Sequence, residues 1–260
     1  MKLNLNDKKI LVCGSTQGIG RATAISLANE GAKITLIARN EDKLKKVLSE
    51  LPKNKNHDYI VADFSDFEAL KLSVTKYLEN NSGFHILINN TGGPRSGLIL
   101  NASLNEFDLA FTMHLKSNHI LAQLLVPFMK KERFGRIINV ISTSVKEPIE
   151  GLGVSNTIRN AVGNWSKTLS FELGAYGITV NNVLPGFTET ERLNEIIKVK
   201  AEKAKTTFDE MKEIMKNYTP AKRFAKPEET ANTIVFLASE AAGYINGVNI
   251  PVDGGRTKSL

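Results

Sequence analysis

The sequence predicts an α/β fold: one doubly wound, seven-stranded parallel sheet with helices on both faces. Three observations predict it. Seven short runs are almost uniformly apolar rather than alternating, the pattern of strands buried on both faces. Longer helical patterns separate these runs in regular β-then-α order. The 260 residues, 42% of them hydrophobic, suffice for one large core, and no linker divides them.

In order, the strand candidates are KKILVC, KITLIA, HDYIVA, FHILIN, GRIINVI, GITVNNVL and GVNIPV. Helices are expected around residues 18–30, 41–51, 66–80, 104–131, 155–175 and 227–239, so a single domain spans 1–260. The stretch around 187–220 contains IIKVKAEKAKTTFDEMKEIM. It reads either as a cover over a ligand or as a solvated amphipathic helical pair.

Composition narrows the function. The opening MKLNLNDKKI is polar where a signal peptide would be apolar, and no apolar run reaches the roughly 18 residues of a membrane span. A cytoplasmic protein without a membrane partner is expected. The single cysteine, Cys13, allows no internal disulfide and no cysteine cluster, and no metal site is expected. A formal charge of +7 is spread among Asp and Glu with no basic block, which argues against nucleic acid and for mild attraction of anionic ligands.

In doubly wound folds, ligands lie beyond the carboxyl ends of the strands. The first such junction runs Gly14, Ser15, Thr16, Gln17, Gly18, Ile19, Gly20. Bare backbone there can approach a pyrophosphate and offer it free N–H groups, although glycines also end strands for purely steric reasons. After the second strand come Ala38 and Arg39, where an NAD enzyme usually offers a carboxylate to the ribose diol. A cation in that place suits a 2′-phosphate, so NADP(H) is favoured over NAD(H); the bland alternative is a solvated loop residue. Asp63 and Phe64 follow the third strand, with Asp63 placed to accept from an adenine amino group or simply to make a turn. Asn89, Asn90, Thr91, Gly92, Gly93 and Pro94 follow the fourth, as groove lining or as another turn.

Taken in order, these segments resemble the short-chain dehydrogenase/reductases. The resemblance rests on Gly14-x3-Gly18-x-Gly20, Asp63, Asn89 to Gly92, Gly135 to Ser142, Asn182 to Gly186 and Val252 to Gly255. It implies a Rossmann-like sheet, a nicotinamide dinucleotide, an oxidoreductase acting on a small carbonyl or alcohol, and a homotetramer or homodimer. It also implies a lid around 187–220, with Pro185, Gly186, Thr188 and Thr190 near the nicotinamide. An apolar surplus on the helices around 104–131 and 155–175 points to the same subunit interface.

The family's chemistry uses an Asn, a Ser, and a Tyr and Lys four residues apart. Carried onto this sequence, the Ser is Ser142, the Tyr position holds Ser155, the Lys position holds Arg159 and the Asn position holds His114. A nearby ammonium can bring a tyrosine into the neutral range, but a serine hydroxyl has no comparable ionisation. Arg159 can hold a cofactor ribose or a substrate anion without shuttling protons. His114 is therefore the expected proton donor, because imidazole titrates near neutrality; otherwise it only fills space vacated by Asn.

Three readings follow. The chain is an NADP oxidoreductase with another proton donor; or a dinucleotide-binding sensor or regulatory protein without hydride transfer; or an enzyme of epimerisation, dehydration or double-bond reduction. Arg95 together with Arg159 would attract a carboxylate or phosphate on the substrate, unless each is a structural ion-pair partner. Lys146 and Glu147 lie on a loop within reach of the pocket, and Tyr218, near the end of the lid, is a candidate displaced donor.

Overall fold

Each apolar run becomes a strand in the computed structural model, which describes residues 2–53 and 55–259. The strands are β1 (Lys9–Cys13), β2 (Lys33–Ala38), β3 (Asp58–Val61), β4 (Ile86–Asn89), β5 (Gly135–Val140), β6 (Ile178–Pro185) and β7 (Asn249–Val252). Every pairing is parallel, in the order β3-β2-β1-β4-β5-β6-β7. The chain leaves β1 toward one edge and β4 toward the other. A crevice therefore opens between their carboxyl ends, beside Gly14 and Asn90.

The helices are α1 (Gly18–Asn29), α2 (Glu41–Glu50), α3 (Phe67–Asn80), α4 (Leu104–Phe111), α5 (Ser117–Glu132), α6 (Gly153–Leu173), α7 (Glu191–Ala204), α8 (Phe208–Asn217) and α9 (Pro227–Ala238). Strand alternation sorts the core into two layers. Ile10, Val12, Ile34, Leu36 and Ile88 face α1 and α9, while Leu11, Ile37, Leu87, Ile137 and Val180 face α3 and α5. Buried on both sides, these strands gain little from alternation, which is why their sequences read as continuous apolar runs. Local chemistry starts the helices: Asn40 accepts from Lys43 N–H at 2.9 Å and Asp66 from Ala69 N–H at 3.0 Å. Ser103 with Glu106, and Thr207 with Glu210, form capping boxes.

One element differs from the sequence reading, and a second takes the helical form that the reading offered for it. The helix expected over 104–131 is interrupted by a π turn at Thr112–Lys116, where the Ser117 hydroxyl lies 2.9 Å from the Thr112 carbonyl and 3.0 Å from that of Phe64. Such turns recur at functional sites, and His114 sits inside this one. The stretch around 187–220 is a helical pair, α7 and α8, with its own small core of Leu193, Ile197, Ala201, Met211, Met215 and Phe224. Its two ends are tied together, since Glu189 N–H donates to Ala225 O at 2.8 Å and Ala225 N–H to Phe187 O at 2.9 Å. Among the described residues, no helix is long and apolar enough to cross a membrane.

Candidate active site

The crevice is built first from backbone. Gly14 has φ +56°, and a Cβ there would stand 2.3 Å from the Asn90 carbonyl oxygen; one on Gly20 would stand 2.2 Å from the Gly14 oxygen. Only glycine lets the three segments close to this distance. The Asn90 amide fastens the turn to β4, donating to Cys13 O at 3.3 Å and Gly14 O at 3.2 Å. Gln17, preceding α1, supplies no side-chain cap, so the first N–H groups of that helix keep their donor capacity. Beside them the Ser15 hydroxyl is fully buried with no partner. Thr16, Gln17, Gly18 and Ile19 stay at least partly open to solvent.

Across the mouth, Arg39 is exposed, and its guanidinium has no hydrogen-bond or ion-pair partner among the described residues. Burial pushes the Asp63 carboxyl upward, but the Ser65 N–H and hydroxyl, at 2.9 and 2.8 Å, and the charge of Arg39 outweigh it and hold Asp63 below its usual range. The Phe64 ring belongs to the core, which leaves its backbone as the only part able to face a ligand. On the lid side, Thr188 is buried with its hydroxyl on Gly186 O at 3.3 Å, and Thr190 caps α7 at 3.3 Å from Leu193 N–H. A Cβ on Gly18 would lie 3.0 Å from the Thr190 methyl, so the root of the lid rests against the glycine turn. Pro185 and Gly186 complete that wall, with Gly186 pressed against Asp253.

Beyond β4 the chain crosses to α6. Gly97 N–H donates to Gly151 O at 2.7 Å and Gly153 N–H to Gly97 O at 3.2 Å, which sets the Gly92 to Gly97 loop over the first turn of α6. Ser155 and Arg159 stand one turn apart on that helix. The Ser155 hydroxyl is partly exposed and has no hydrogen-bond partner among the described residues. Ser142, after β5, accepts from Ser144 N–H at 3.0 Å.

Arg159 is only 8% exposed. One guanidinium nitrogen donates to Val140 O at 3.0 Å, its Nε is buried with no partner, and no carboxylate pairs with it among the described residues. Burial, then the charge of Arg192, lowers its pKa to about 10, so it stays cationic at neutral pH. His114 is 2% exposed, with Nδ1 2.6 Å from the Thr91 hydroxyl and Nε2 buried with no partner. Burial, then Arg159, holds its pKa well below 6.5. The sequence-based expectation of an imidazole titrating near neutrality is thus corrected, because a ring sealed from water beside a guanidinium remains neutral.

Four other residues are expected participants. Tyr218 closes α8 at 57% exposure, and its hydroxyl makes no hydrogen bond to this cluster. The Glu147 carboxylate accepts from the Lys258 and Ser259 N–H groups at 2.7 and 2.6 Å, so it holds the C-terminal tail rather than facing the crevice; Lys146 beside it is partly buried. Arg95 is exposed on the loop.

Sequence reasoning missed two features. Arg192 on α7 donates to Pro94 O at 2.5 Å and to Glu195 at 3.2 Å. Inside the sheet, Asn89, Asn139, Asn182 and Asn249 stand in register on adjacent strands. Their amides link in sequence at 2.8, 3.0 and 2.8 Å, with Ser166 joined to Asn139 and Asn182. An asparagine in each of four strand candidates, with two in GITVNNVL, was the available signal.

The fold and its glycine crevice define a Rossmann-like, dinucleotide-binding class of protein. Residues 14–257 match the family model described as enoyl-(acyl carrier protein) reductase. The NADPH-dependent reductase BacG of Bacillus subtilis is 31% identical over 260 residues, covering 98% of this chain and 100% of the relative. The 3-oxoacyl-(acyl-carrier-protein) reductase FabG of Thermotoga maritima is 33% identical over 258 residues, covering 97% and 99%. The crystal structure of L-sorbose reductase from Gluconobacter frateurii, complexed with NADPH and L-sorbose, superposes with a TM-score of 0.94 at 30% identity and covers 100% of both chains. The chain belongs to the short-chain dehydrogenase/reductase family and is an NAD(P)-dependent oxidoreductase of that kind.

Proposed function

We propose that this oxidoreductase prefers NADP(H), interconverts a carbonyl and an alcohol on an anionic small molecule, and uses Ser142, Ser155, Arg159 and His114 where its family uses Ser, Tyr, Lys and Asn. The observation that carries this reading is the pair of buried, unsatisfied atoms beyond β4 and β5, Arg159 Nε and His114 Nε2. Buried polar atoms are almost always paired, and orphans grouped at one crevice are suited to a ligand. The dinucleotide fits the glycine turn: Gly14 and Gly20 let that turn close tightly on Asn90, and the Ser15 hydroxyl, without a partner among the described residues, and the uncapped start of α1 suit its phosphates. Arg39 suits the 2′-phosphate, Asp63 the adenine, and Asn90, Thr91 and Gly92 the groove between the two ends. Pro185, Gly186, Thr188 and Thr190 would close over the nicotinamide, and Arg159 would hold its ribose.

When bound, the nicotinamide supplies or receives the hydride. The chain's own side chains handle charge and proton. Ser142 and Ser155 orient the carbonyl oxygen by hydrogen bonds, and the fixed charge of Arg159 stabilises negative charge developing on it in a dry setting. A neutral His114 acts as a relay rather than as an imidazolium acid: Nε2–H gives a proton toward the crevice as Nδ1 takes one from the Thr91 hydroxyl, and water at the partly exposed Thr91 replaces it. Cytoplasmic residence and a homotetramer or homodimer complete the proposal.

Titration of the folded protein with NADPH and NADH, followed by NADPH consumption against a panel of ketones and aldehydes, tests it. NADPH should bind more tightly, and Arg159→Met and Ser142→Ala should each slow turnover by about a hundredfold. Uptake of neither dinucleotide, or full turnover in both variants, would refute the proposal.

A further inference from the structure

Arg192 has no place in the scheme above. It projects from the first turn of the lid, yet it reaches back to the β4–α4 loop through Pro94 O. On the other side of the same loop, a Cβ added to Gly93 would find only the Arg159 Nη2, at 3.9 Å, and one added to Gly92 would find nothing within 4 Å. Two guanidinium groups thus flank the Gly93–Pro94 step, with open space before the glycines. Like charges held together without an intervening carboxylate are unfavourable. Among the described residues, the only acid paired with either of them is Glu195, an exposed partner of Arg192 on its own helix. A dinucleotide does not relieve this: the ribose that Arg159 would hold is neutral, and an oxidised nicotinamide adds positive charge.

Resting on the oxidoreductase reading, we infer that Arg159 and Arg192 together grip an anionic group of the substrate, a carboxylate or a phosphate, and that Arg192 is the specificity-determining half of the grip, carried in by the lid. Guanidinium forks match both anions in geometry, and a charge-assisted pair in a desolvated crevice is among the stronger hydrogen bonds a protein makes. Arg192 contributes more than charge. Its hold on Pro94 O joins α7 to the loop above α6, so the same side chain that reads the anion also draws the lid against the site. Glu195 offers a resting partner for Arg192 when the anion is absent.

The test uses matched compounds with the protein already saturated with NADP+. Calorimetry would compare pyruvate with methyl pyruvate, levulinate with methyl levulinate, and dihydroxyacetone phosphate with dihydroxyacetone. At least one anionic member should bind about tenfold or more tightly than its neutral partner, and the preferred pair tells carboxylate from phosphate. Arg192→Gln should remove that preference while NADPH affinity stays within about twofold, and Arg192→Lys should restore part of it. Neutral members binding as well as anions, no anion binding at all, or a preference untouched by Arg192→Gln would overturn the inference. Failure of the oxidoreductase reading is seen separately, as absence of dinucleotide uptake before any anion is added.

Discussion

The asparagine ladder within the sheet and the cationic cluster just beyond its carboxyl edge are made of similar material, buried polar side chains. They solve opposite problems. Asn139 spends its carboxamide on Asn89, Asn182 and Ser166, so burial costs it little. Arg159 and His114, equally buried, leave Nε and Nε2 without partners. Polar groups that satisfy one another hold the strands in register; polar groups left open are available to a ligand. The contrast is not absolute, since Asn89 Oδ1 at the end of the ladder is unpaired, as are Thr23, Thr179 and Thr230 elsewhere; for those threonines the structure offers no functional account.

Breaking the ladder should have the largest effect. Asn139→Leu orphans groups on both neighbouring strands and on Ser166, and should cost about 4 kcal/mol in urea unfolding. A loss below about 1 kcal/mol would mean the ladder is not a structural device. Removing the guanidinium should act the other way. Arg159→Met deletes an unpaired buried charge and should stabilise the ligand-free protein by about 2 kcal/mol, even as turnover collapses. A destabilised variant would show that Arg159 is satisfied in a way the structure does not reveal.

The third effect lies at the mouth of the crevice, where Arg39→Asp should move the NADP-to-NAD affinity ratio by about tenfold toward NAD, read by fluorescence titration. The smallest concerns pH. Since the folded pKa of His114 is depressed below 6.5, the unfolded chain binds a proton there that the folded chain does not. Stability should therefore be flat above that pH and fall below it by about 1 kcal/mol per pH unit from this residue alone. His57 and His85 are lowered too, first by burial, and add to the same trend. Only the difference between wild type and His114→Asn, compared at pH near 5 and near 8, isolates the residue. Identical acid sensitivity in the two proteins would place His114 in a more open setting.

The strands were legible because parallel sheets bury both faces, and that leaves an unbroken apolar signature in KITLIA or GRIINVI. The glycine turn was legible because close backbone approach leaves no alternative to glycine at Gly14 and Gly20. Register was not legible, so Asn89, Asn139, Asn182 and Asn249 looked like unrelated polar residues until the strands aligned them. The π turn was equally hidden, since helical periodicity near 104–131 carries no mark of the one local mismatch around His114. His114 was read with the wrong charge habit, because its depressed basicity depends on burial and on Arg159, neither of which is visible in its sequence neighbours. Arg192 escaped notice because Pro94 stands 98 positions away in the chain.

The α7–α8 pair is closed at its two ends by paired backbone at Phe187, Glu189 and Ala225, and it keeps an apolar interior of its own. Changes within that interior can therefore be absorbed locally, whereas changes at Thr190 or Arg192 reach the glycine turn and the β4–α4 loop. On the proposed reading, what the enzyme accepts and how it holds its coenzyme are separable traits, and divergence among relatives should gather in this helical pair while the floor beneath it stays fixed.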